Sequence, residues 1–158
     1  MKILIYPHTD LLKETEPLGP GQVTNLKEKI REMFNLMYAS NGVGLAAPQI
    51  GWSVKLVVVN PRPPKRKGEI VLINPEIVAG HGTPIDSYEG CLSLPGINCF
   101  VKRYPAVSVK YYNENFEEYT TKFEGFKSET AKVIQHEIDH LNSILLIHRK
   151  MIPLGEDR

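Results

Sequence analysis

The chain has 158 residues, a hydrophobic fraction of 42% and a formal net charge of +1. This length predicts a single domain over residues 1–158, with enough apolar material to form a core without disulfide support. The near-zero charge speaks against nucleic acid as the main partner, and no apolar run approaches a membrane span.

Residues 1–6 read as a short strand. They lack the charged and long apolar regions of a signal peptide, so a cytoplasmic location is the default expectation. A loop with Pro17, Gly19, Pro20 and Gly21 follows. Thr24 or Asn25 then offers a helix cap, with Glu28 favouring Asn25. Leu26, Ile30, Met33, Phe34 and Met37 recur at helical spacing, and Asn41-Gly42 ends that helix. Residues 54–59 form a β-branched run that predicts a buried strand. Arg62, Lys65, Arg66 and Lys67 mark a basic, solvated loop. Residues 70–73 and 76–79 are strand-like, with a break expected at Asn74-Pro75. Val101 and residues 106–112 suggest further strands, and Asn113-Glu114-Asn115 predicts a hairpin turn into residues 118–123.

The last element is a helix. Ser128 can cap it, and Glu129 suits its positive end. Ile134, Ile138, Leu141 and Leu145 form an apolar stripe. Many short strands and two helices predict an α+β class, with antiparallel strands packed around this second helix.

That helix carries His136-Glu137-Ile138-Asp139-His140. At 3.6 residues per turn, two histidines four positions apart share one face and can bind one metal ion. Glu137 lies beside that face, where it can reach a metal-activated water without being a ligand. The chemistry suggested is metal-assisted hydrolysis. A catalytic site of this type uses three protein ligands and leaves a position for water. Cys91, in the turn-prone Glu89-Gly90-Cys91-Leu92-Ser93, is the third ligand candidate, and Gln49 is a polar helper. Cys99 reads as a small buried apolar residue.

Three segments in order, Gly42-Val43-Gly44-Leu45-Ala46-Ala47-Pro48-Gln49, Glu89-Gly90-Cys91-Leu92-Ser93 and His136-Glu137-Ile138-Asp139-His140, resemble the peptide deformylase signature G-x-G-L-A-A-x-Q, E-G-C-L-S and H-E-x-D-H. The resemblance implies small antiparallel β-sheets wrapped around a central metal-binding helix. It implies one divalent ion, Fe(II) first, with Zn(II), Ni(II) or Co(II) as substitutes, held by Cys91, His136 and His140. The implied reaction removes the N-formyl group from newly made polypeptides. Metal-bound hydroxide attacks the formyl carbon, Glu137 shuttles the proton, and Gln49 with the Leu92 N–H stabilises the oxyanion. Gly42, Gly44 and Gly90 leave room for a peptide backbone, and an extended substrate can pair with Val43-Gly44, with Val43 lining the methionine pocket. The partners expected are N-formylated nascent chains, with at most transient ribosome contact, no membrane and no sequence-specific nucleic acid.

Three departures stand out. Ser143 occupies a position where the family usually has glycine. Glu129 and Lys132 lie where an apolar pocket wall is usual. The chain also lacks a long C-terminal helix for ribosome docking. Arg103, Asp139 and Glu89 are candidate supporting charges, with Glu89 a partner for a ligand histidine. His8, His81 and His148 lack ligand spacing. Two alternatives are a metallopeptidase, whose third ligand normally lies downstream rather than at Cys91, and a binding module with a structural metal closed by Cys99.

Overall fold

The second strand shows how the chain is layered, because all four of its residues are buried. Leu56 and Val58 share a core with Ile30, Met33, Phe34 and Met37. Val57 and Val59 share another with Ala131, Ile134 and Ile138. Successive side chains of a strand point to opposite faces, so this strand lies between two helices. Each fully buried Val, Leu or Ile here contributes roughly 1.5–3 kcal/mol.

The computed structural model describes residues 1–63, 65–125 and 129–150. Its elements are α1 (Leu26–Ala39), β1 (Gly44–Ala46), β2 (Leu56–Val59), β3 (Ile70–His81), β4 (Ile85–Cys91), β5 (Leu94–Arg103), β6 (Ala106–Tyr112), β7 (Glu118–Phe123) and α2 (Glu129–Leu141). Five strands form one antiparallel sheet in the order β1-β2-β3-β6-β7, while β4 and β5 pair separately. The expected α+β class is therefore the observed one. The hairpin has its own small core, in which Leu94, Cys99 and Val101 meet Leu11, Leu145 and Leu146.

Several local expectations change. Residues 1–6 form no strand. Leu4 N–H donates to the Gln49 carbonyl at 2.7 Å and Tyr6 N–H to that of Ser93 at 2.9 Å, so this segment spans two loops and lies along no single strand. Asn25 does precede α1, but it is left-handed (φ 60°) and its side chain makes no capping bond. The end of α1 is as expected. Asn41 takes φ 58°, Gly42 N–H donates to the Met37 carbonyl at 2.9 Å, and Asn41 N–H donates to that of Tyr38 at 3.0 Å, a Schellman closure. Asn74-Pro75 does not break its strand. β3 is continuous, with its register shifting between Ile73 and Glu76. The Asn74 side chain bonds both the N–H and the C=O of Leu18 at 2.8 Å, stabilising a bulge that accommodates a proline without an N–H.

The Ser128 cap and the end of the chain lie outside the described residues. α2 closes as α1 does, with Ile144 N–H on the Asp139 carbonyl at 2.9 Å, and here Ser143 is the left-handed residue (φ 59°). Leu145 is buried, but beyond the helix.

Candidate metal centre

Three chain segments converge beside α2. Cys91 ends β4, and ligand atoms of Cys91, His136 and His140 all lie within 4.8 Å of one another. Cys91 Sγ is 3.4 Å from His140 Nε2. Both histidines project from the face of α2 next to its apolar stripe, with ring centroids 5.2 Å apart. Cys99 is not in the group; it is a buried, free thiol in the hairpin core.

His136 has a full set of supporting bonds. Its Nδ1 lies 2.9 Å from Glu89 Oε1, which leaves Nε2 as the nitrogen available to a metal. Arg103 grips the Glu89 carboxylate through Nε and Nη2, both at 2.9 Å, and reaches Asp139 Oδ2 through Nη1 at 2.6 Å. All three expected supporting charges are thus engaged. Burial opposes ionisation of Glu89, yet hydrogen bonds from His136 and Arg103 outweigh it and hold the carboxyl at about 2. Burial also opposes charging His136, but hydrogen bonds to Cys91 and Glu89 raise it to about 10. His140 goes the other way. Burial, then the neighbouring His136 and Arg103 charges, lower it well below the usual histidine range.

Glu137 is buried at the same centre, and burial is the main cause that raises its carboxyl to about 7. Its Oε2 and the Nδ1 of His140 are buried with no partner among the described residues. An unpaired buried carboxylate oxygen is costly, so the site suits a further polar group beside the three candidate ligands. One thiol and two imidazoles form a donor set that fits Fe(II), Zn(II), Co(II) or Ni(II).

Gln49 lies in the tight turn after β1 and is 2% exposed. Its Oε1 accepts from Ala46 N–H at 2.9 Å, which fixes the amide so that Nε2 faces Ser93 Oγ at 3.1 Å and Cys91 Sγ at 3.8 Å. Leu92 sits in the turn that follows Cys91. Val43, Gly44, Gly90, Leu92, Glu129 and Lys132 line one cavity of about 450 Å³ that reaches His136 and Glu137. The two glycines also have neighbours within the chain. A Cβ on Gly44 would lie 2.5 Å from Glu137 Oε1, and one on Gly90 would lie 2.5 Å from Asn98 Oδ1.

Sequence reasoning gave Ser93 no role of its own, missed Asn98, and missed β4 with most of β5. The available signal was weak alternation, since Cys99, Val101 and Arg103 are buried in turn, as is Ser87 on β4. His8, His81 and His148 stay out of the site; His81 bonds Ser108 and His148 bonds the Leu145 N–H.

A family model described as polypeptide deformylase matches residues 1–154. The chain belongs to the polypeptide deformylase family. The peptide deformylase of Chlorobaculum tepidum is 43% identical over 152 residues, covering 94% of this chain and 79% of that protein. The peptide deformylase of Aquifex aeolicus is 43% identical over 151 residues, covering 93% and 85%. The crystal structure of peptide deformylase from Thermotoga maritima matches with a TM-score of 0.86 at 36% identity, covering 96% of this chain and 97% of that one. The deformylase family is metal-dependent, and the Cys91, His136 and His140 group offers this member a place for the ion. No helix among the described residues is long and apolar enough to cross a membrane.

Proposed function

We propose that this chain, read as one catalytic domain over residues 1–158, is a cytoplasmic deformylase. It hydrolyses the N-formyl amide on the initiating methionine of newly made polypeptides and releases formate. The observation that carries this reading is that ligand atoms of Cys91, His136 and His140 lie within 4.8 Å of one another, while Cys91, His136, Glu137 and Gln49 line one cavity. Cys91, His136 and His140 hold the divalent ion, Fe(II) by preference, with Zn(II), Ni(II) or Co(II) able to substitute. When bound, such an ion polarises the formyl carbonyl and makes water a nucleophile at neutral pH.

The chain's own residues do the rest. Glu137, raised to about 7 by burial, takes the proton of the attacking water and returns it to the departing amine nitrogen. Gln49 Nε2, with its amide orientation fixed from Ala46, and the Leu92 N–H donate to the oxygen that gains charge. β1 is an edge strand of its sheet, so an extended peptide can add beside Val43-Gly44, with Val43 against the methionine side chain. Gly90 keeps the opposite wall low. The substrates are N-formylated nascent chains, and any contact with the ribosome is transient.

The test is formate release from a formyl-methionyl peptide by Fe(II)-loaded protein under anaerobic conditions. Turnover that a chelator abolishes is expected. Folded, metal-loaded protein with no turnover refutes the reading.

A further inference from the structure

The ionic chain behind His136 does not stop at Asp139. Arg149, beyond the end of α2, donates from Nε to Asp139 Oδ2 at 2.6 Å and from Nη2 to Asp139 Oδ1 at 2.7 Å. Asp139 therefore accepts a two-pronged grip from Arg149 and a single bond from Arg103. Arg149, Asp139, Arg103, Glu89 and His136 form a series in which every link is 2.6–2.9 Å. The Arg149 side chain is 42% exposed, whereas each of the other four is 12% or less.

The local fold places Arg149 for this contact. Leu145 and Leu146 are buried in the hairpin core, a short turn runs over Leu146–His148, and Arg149 N–H donates to the Leu146 carbonyl at 3.1 Å. The charges also count. Two carboxylates, Glu89 and Asp139, are balanced by two guanidiniums. Without Arg149, one guanidinium serves two buried carboxylates, and Asp139 loses two charge-assisted bonds. Asp139 then competes with Glu89 for Arg103, and Glu89 is the group that fixes the His136 ring.

We propose that Arg149 is a positioning residue for the metal centre: by saturating Asp139 it keeps Arg103 on Glu89, and Glu89 then holds His136 in its ligand orientation. The proposal rests on the assignment of Cys91, His136 and His140 as ligands.

The experiment is Zn(II) competition against a chromophoric chelator, run on full-length wild type, Arg149→Gln and Arg149→Lys. It is paired with absorption spectra of the Co(II)-loaded forms and thermal unfolding of the metal-free forms. Arg149→Gln is expected to bind Zn(II) about tenfold more weakly, the low end for partners outside the ligand set, with shifted Co(II) bands. Arg149→Lys keeps the charge but not the fork and is expected to fall between the two. Zn(II) affinity and Co(II) bands unchanged in Arg149→Gln, with only a lower metal-free Tm, overturn the proposal. So does tighter Zn(II) binding, the outcome of plain attraction to a more negative site. A wild-type protein that binds no Zn(II) refutes the ligand assignment itself, a failure visible before any variant is compared.

Discussion

Gly44→Ala isolates the placement of Glu137 from metal binding. A Cβ at position 44 would lie 2.5 Å from Glu137 Oε1, 2.8 Å from its Cγ and 2.9 Å from its Cδ. Turning the carboxylate about its last bond cannot relieve all three, because Cγ is involved. Ordinary contact begins near 3.4 Å, so the end of the side chain must retreat by about 0.9 Å. The helix backbone will not yield, since Ile134 and Ile138 lock α2 into the core of the main sheet. A misplacement of about 1 Å costs on the order of a hundredfold in rate. We expect kcat for formate release to fall about a hundredfold, with KM within a few-fold and metal content unchanged. Steady-state kinetics and metal analysis on the same preparation, below the Tm, give the answer. A kcat within threefold of wild type refutes the argument that Gly44 sets the position of Glu137.

Glu137→Gln is expected to keep its metal and lose about a hundredfold or more of turnover; loss of metal instead would make Glu137 a ligand. Ser143→Gly relieves a left-handed residue at the end of α2 (φ 59°) while giving up an exposed bond from Ser143 Oγ to the Lys13 carbonyl. A net gain of about 0.5 kcal/mol and a higher Tm are expected, and a lower Tm contradicts this. Glu89 is held at about 2 against an ordinary value of 4.5. A depressed carboxyl stabilises the fold above the ordinary value and loses that contribution as pH falls toward the depressed one. The metal-free protein should therefore lose about 3 kcal/mol between pH 4.5 and 2, and Glu89→Gln should flatten that slope. Equal slopes in denaturant titrations across this window would count against the pairing.

The helices were legible because their apolar spacing matches their burial. Ile30, Met33, Phe34 and Met37 face one side of the sheet, and Ile134, Ile138 and Leu141 face the other. The grouping of Cys91, His136 and His140 was legible because metal chemistry dictates those residue types at that spacing. β4 was not, because Ser87 and Glu89 are polar residues placed on the site side of a strand, which erases the alternation that marks strands elsewhere. The contact between Arg103 and Asp139 was beyond reach for another reason. It joins positions 36 residues apart, and only the tertiary fold decides which charges meet. Asn74-Pro75 misled because proline signals a break, whereas the Asn74 bonds to Leu18 turn it into a bulge.

The β4–β5 hairpin shares no ladder with the five-stranded sheet, and its Cys91 and the helix's His140 lie 49 residues apart in sequence. An ion held by both would act as a removable cross-link, added to the Glu89–His136 and Arg103–Asp139 bonds that already join hairpin and helix. The free energy of holding that ion becomes stability of the seam between hairpin and helix.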